Sequence, residues 1–66
     1  MRLRYDKDSD ALYFRLEETA IKESEEVSPG VILDFNENDE VIGIEMLDIS
    51  KRSSPESLKV LHYEKD

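Results

Sequence analysis

The stretch VILDFNENDEVIGIEML, residues 31–47, decides the fold. Val31, Leu33 and Phe35 alternate with Ile32 and Asp34, and Ile42, Ile44 and Met46 alternate with Gly43 and Glu45. Alternation with period two is the signature of a half-buried strand, because successive side chains leave opposite faces of the pleat. Between the two runs lie Asn36, Glu37, Asn38, Asp39 and Glu40. Asn and Asp bond to nearby backbone and accept tight turns, so the segment reads as a β-hairpin. Pairing Phe35 with Ile42 sets Leu33 opposite Ile44 and Asp34 opposite Gly43.

Working outward, the N-terminal part repeats the design. Met1, Leu3 and Tyr5 alternate with Arg2 and Arg4, the polar DKDSD follows, and Leu12, Phe14 and Leu16 alternate with Ala11, Tyr13 and Arg15. Pairing Tyr5 with Leu12 places Leu3 opposite Phe14 and gathers the large apolar groups on one face. Strands are expected near 1–5, 11–17, 31–35 and 41–48. Residues 17–28 are rich in glutamate, and 21–27 reads as either a loop or a charged edge strand, the strand being favoured since charged edges discourage sheet-to-sheet aggregation. Pro29-Gly30 is a turn signal. Near the C-terminus, Ser54 suits an N-cap, Pro55 the first helical position and Glu56 the positive end of the dipole. A helix is expected near 55–63, its Leu58 and Leu61 lying on the sheet. The predicted fold is mainly β (α+β): a single domain, an antiparallel β-meander of about four strands in two hairpins, with a short C-terminal helix packed on one face.

Composition narrows the function. The chain has 66 residues and no cysteine, so a disulfide or thiolate metal staple is excluded and oligomerisation is the expected source of extra stability. A homodimer is therefore expected. Seventeen acidic against nine basic residues give a net charge of -8. Such a chain suits a small basic protein partner and argues against phosphate backbones and anionic membranes. The opening MRLRYDKDSD lacks an apolar stretch, and no run approaches the ~20 residues of a membrane span. A soluble, cytoplasmic protein is expected.

The second sheet face mixes charge with apolar groups: Arg2, Arg4, Tyr13, Arg15, Ile32, Asp34, Val41, Glu45 and Leu47. It is the candidate partner or dimer face, against the plainer reading of scattered exposed apolar groups. Ion pairing with the arginines is the expected role of Asp34 and Glu45. Weak stacking of single-stranded nucleic acid on Tyr13 and the arginines is the alternative that the net charge opposes.

The acidic turns raise a divalent-cation alternative. Asp6, Asp8, Asp10 and Glu17 fall at positions 1, 3, 5 and 12 of a calcium-loop spacing, as do Asp34, Asn36, Asn38 and Glu45. The glycine that such a loop needs at its sharp turn is replaced by Ala11 and Asp39, and the flanks have strand, not helix, periodicity. No metal site or other cofactor is expected. His62 is the only histidine, and Gly30 and Gly43 are the only glycines. Neither a nucleophile elbow nor a phosphate-cradling loop can be assembled from them, so no catalytic residue is expected.

The strings YDKDSDALYFRL, EVSPGVILDF and VIGIEMLDISKR, in that order from Tyr5 to about Arg52, resemble domain of unknown function family 2283, a family of small prokaryotic proteins. Glu40 stands where the family pattern carries glycine, a departure that touches only the turn type. The resemblance carries over no catalytic residue. It implies a non-enzymatic, antitoxin-like role beside a small toxin, and the acidic charge suits a basic partner of that kind. An accessory subunit fits the same features.

Overall fold

The structure, a computed structural model, describes residues 1–60 and Glu64. Five strands form one antiparallel sheet: β1 (Arg2–Asp6), β2 (Ala11–Arg15), β3 (Glu23–Ser28), β4 (Val31–Phe35) and β5 (Val41–Met46). Two short helices follow, α1 (Ile49–Arg52) and α2 (Pro55–Lys59). The strand order is β1-β2-β5-β4-β3. Both expected hairpins are present, and the glutamate-rich stretch is an edge strand exposed along its whole length. The order departs from a simple meander because the loop after β2 crosses to the far edge. The chain then meanders back through β3, β4 and β5, so that β5 closes against β2.

The registers make continuous cross-strand rows. On one face Leu3, Phe14, Ile44, Leu33 and Glu25 lie side by side, and Tyr5, Leu12, Met46, Val31 and Ser28 form the next row. On the other face the rows are Arg4, Tyr13, Glu45, Ile32, Glu26 and Arg2, Arg15, Gly43, Asp34, Ser24. The expected opposition of Leu33 to Ile44 and of Asp34 to Gly43 is present. The register then shifts, and Phe35 faces Val41 rather than Ile42. This β-bulge puts an extra residue into β5. It turns Val41 toward Phe35 and the apolar side, away from the mixed face where alternation had placed it.

Turns set the strand ends. Pro29 and Gly30 occupy a tight β3–β4 turn in which Gly30 has φ 75, the left-handed position a type II turn reserves for glycine. β5 stops at Met46, short of the expected 48, because Asp48 adopts φ 51 and starts α1. One turn of helix is not stable alone. Two hairpin turns clasp it: Asp10 accepts hydrogen bonds from the Ser50 amide at 3.1 Å and the Ser50 hydroxyl at 2.7 Å, and Arg52 donates to the Pro29 carbonyl. Ile49 is buried beneath this clasp. α2 begins as expected, the Ser54 hydroxyl accepting from the Ser57 amide at 3.1 Å. It ends at Lys59, since Val60 is extended. The expected continuation to residue 63, with Leu61 and His62, lies outside the described residues.

Ser54, Glu56, Ser57 and Lys59 are exposed, and Val60 is 70 % exposed. Among the described residues the buried apolar groups are only Ala11, Ile42 and Ile49. Phe14, Leu33, Ile44 and Met46, at the centre of the apolar face, are only half-buried.

Candidate functional site

The mixed face is built around Asp34, which is 6 % exposed. A buried carboxylate needs partners, and two hydroxyls supply them. Tyr13 donates to Oδ2 at 3.0 Å and Ser24 donates to Oδ1 at 2.6 Å. Arg15 Nη1 donates to the Tyr13 hydroxyl at 3.1 Å, which fixes the direction of the phenol proton. Gly43 lies between Arg15 and Asp34 in their row, with Tyr13 in the next. A Cβ there would come within 2.7 Å of Asp34 Oδ2 and 3.1 Å of the Tyr13 oxygen. Only glycine leaves room for the hydrogen bond across β5.

Arg15 does more than hold Tyr13. Its Nε donates to the Glu17 carbonyl at 2.6 Å and its Nη2 to the Thr19 carbonyl at 2.5 Å. The hydrogen bond to Tyr13 is the main reason its guanidinium is held above the ordinary arginine pKa. These bonds tie the crossover loop, residues 16–22, to the sheet and bring Ile21 over the mixed face. The result is a concavity of about 390 Å³. Ala11, Tyr13, Asp34 and Glu45 line it together with Ile21, and Arg4, Asp6 and Ser9 complete the lining.

The arginines do not pair with the acids expected for them. Arg2 pairs with Glu18 at 3.0 Å, Arg4 approaches Asp6 at 3.8 Å, and Arg15 is taken by loop carbonyls and Tyr13. The reason is register: Gly43 and β5 separate Arg15 from Asp34 in their row, while the loop backbone passes directly beside β2. Glu45 is thereby left alone. It is half-buried between Tyr13 and Ile32, and among the described residues no hydrogen bond or ion pair reaches its carboxylate. Leu47 sits at the end of the same face, half-buried, its amide on the Gly30 carbonyl at 2.8 Å.

The acidic turns use their side chains locally. Asp6 Oδ1 accepts from the amides of Asp8 at 3.0 Å and Ser9 at 3.3 Å, and bonding from Ser9 is the chief cause that lowers its pKa below 3.8. Asp10 clasps α1. Asn36 Oδ1 accepts from the amides of Asn38 at 2.9 Å and Glu40 at 3.0 Å. Asp34 lies on the mixed face, apart from these turns. No group of three or more acidic or histidine side chains converges among the described residues.

Ser24, Gly43, Ile21 and Glu18 are the site residues that sequence reasoning did not single out. Gly43 had a signal, being a glycine placed directly across from an aspartate in an otherwise apolar hairpin. Ser24 had a weaker one, as a short hydroxyl among glutamates. Ile21 and Glu18 had none, because the path of the crossover loop brings them in.

A five-stranded antiparallel sheet with the buried carboxylate of Asp34 on one face is thus the frame of the molecule. A family model described as protein of unknown function (DUF2283) matches residues 2–50 of the chain, and the chain belongs to that family. No curated protein and no solved structure matches it. No helix among the described residues is long and apolar enough to cross a membrane.

Proposed function

We propose that the protein is a non-enzymatic protein-interaction module, an antitoxin-like or accessory subunit, whose mixed face receives a basic side chain of its partner. One observation carries the reading: the Glu45 carboxylate, without a partner among the described residues, lines the concavity together with Ile21. A half-buried carboxylate without a cation is partly desolvated already. A lysine or arginine that docks there gains a charge-assisted hydrogen bond. Ala11, Tyr13 and Ile21 offer apolar walls to the methylene stem of such a side chain. The net charge of -8 draws a basic protein toward the surface and speeds encounter at low salt.

The same geometry explains why the other acids are poor competitors. Asp34 has both oxygens engaged by hydroxyls, and Asp6 is bonded to its own turn. The test is capture from nuclease-treated host lysate by tagged wild type and by Glu45→Arg. The expected outcome is a small basic protein in stoichiometric amount with the wild type, released by salt and lost with the variant. Equal capture by both, or recovery of the tagged chain alone, contradicts the reading.

A further inference from the structure

We infer that the outer edge of β3 is a docking edge for an extended basic segment of a partner protein, which adds to the sheet as a further strand. β3 stands at the end of the strand order and pairs with β4 alone. An edge strand presents a row of backbone amides and carbonyls that no neighbour satisfies. Among the described residues, the hydrogen bonds to β4 are the only ones that reach the backbone of Glu23, Ser24, Glu25 and Glu26, and all four residues are exposed. The register shifts between Glu26 and Ser28. This bulge interrupts regular pairing, so the open stretch runs from Glu23 to Glu26.

Charge names the occupant. Side chains alternate in face along a strand, so Glu23 and Glu25 stand on the same face, beside Phe35 and Leu33 of β4. Among the described residues no hydrogen bond or ion pair reaches either carboxylate. Lys22, adjacent in the chain, turns its ammonium to Asp39 at 4.0 Å. The opposite edge differs: on β1, Arg2 pairs with Glu18 at 3.0 Å and Arg4 approaches Asp6 at 3.8 Å. The charges of β1 are answered within the chain, and those of Glu23 and Glu25 are not. Opposite charges on neighbouring strands stabilise their pairing, and like charges directly opposite destabilise it. The glutamates therefore repel a second β3 and any acidic strand, and favour a strand with lysine or arginine at every second position. Main-chain hydrogen bonds supply the affinity of such strand addition, and the alternate basic side chains its specificity.

The edge is separate from the Glu45 concavity. Ile32 of β4 stands between Glu45 and Glu26 in their row, and Glu23, Ser24 and Glu25 take no part in the concavity's lining. Strand addition thus does not rest on docking at Glu45, and either can fail without the other.

The experiment titrates the isotope-labelled full chain with a capped octapeptide of alternating lysine and threonine, read by backbone NMR and amide exchange at low salt. In the free chain the outward amides of the stretch from Glu23 to Glu26 should exchange fast. Saturating peptide should shift and protect them, and NOEs should join its backbone to that of β3. Glu25→Lys should weaken binding about tenfold. Glu25 is exposed, so its exchange leaves the fold intact, and unchanged amide signals in β1 and β2 check this. Glu45→Arg should bind the peptide as wild type does. The same peptide with methylated backbone amides keeps every charge and should not bind. Equal binding of the methylated peptide, shifts centred on the Glu45 concavity, or no binding of either peptide overturns the proposal. So does protection of the outward β3 amides in the free chain, whether its own residues or β1 of a second copy provide it.

Discussion

Gly43 and Ile44 are neighbours in β5 and point to opposite faces of one sheet, yet their surroundings have little in common. Gly43 is buried in a network that leaves no room for a methyl group, while Ile44 is half-buried at the centre of an apolar surface. The mixed side is organised by a network of side-chain hydrogen bonds around Asp34, and the apolar side by rows of apolar side chains. Hydrogen bonds across β2, β5, β4 and β3 fix the register through Asp34. The apolar rows hold Phe14, Leu33, Ile44 and Met46 half-buried.

Substitutions at these two adjacent residues sharpen the contrast most. Gly43→Ala forces a Cβ against Asp34 and Tyr13, and should cost about 2 kcal/mol. That cost should be the same at every protein concentration in denaturant unfolding. Ile44→Ala should cost less than the ~2–5 kcal/mol of a core isoleucine, because its side chain is half-buried. A cost of core size for Ile44→Ala would place that side chain in a conventional core and break the comparison.

A smaller effect concerns the turn that borders the concavity. Asp6 has its pKa lowered below 3.8 in the folded state. A group with a depressed folded pKa stabilises the fold above its unfolded pKa and loses that contribution as pH falls through the folded value. Wild type should therefore lose slightly more stability than Asp6→Ala on acidification below about pH 4. Acid unfolding curves of the two proteins check this. Identical curves would mean that the turn bonds of Asp6 add nothing to stability.

Much of this was legible in the sequence, for a plain reason. Period-two alternation fixes which side chains share a face, and so the pairings of Tyr5 with Leu12, Leu33 with Ile44 and Asp34 with Gly43 followed from the pattern alone. The glutamate run was compatible with a loop or an edge strand, and only the β3–β4 pairing makes Glu23–Ser28 a strand. What stayed hidden depends on contacts between distant segments. The bulge that turns Val41 toward Phe35 arises in β4–β5 pairing, and alternation contains no mark of it. Helix α1 exists because Asp10, forty positions earlier, caps it. Arg15 was assigned to an acid, and the crossover loop took it instead. Glu45 was read correctly as belonging to the mixed face, but its isolation appears only when each arginine has been accounted for.

The most direct test of the contrast between the faces is the Tyr13 hydroxyl proton, which donates to Asp34. In wild type, NMR should find it slow to exchange, and Gly43→Ala should make it exchange fast. Fast exchange in wild type would contradict the account, because the network around Asp34 would then be open to water.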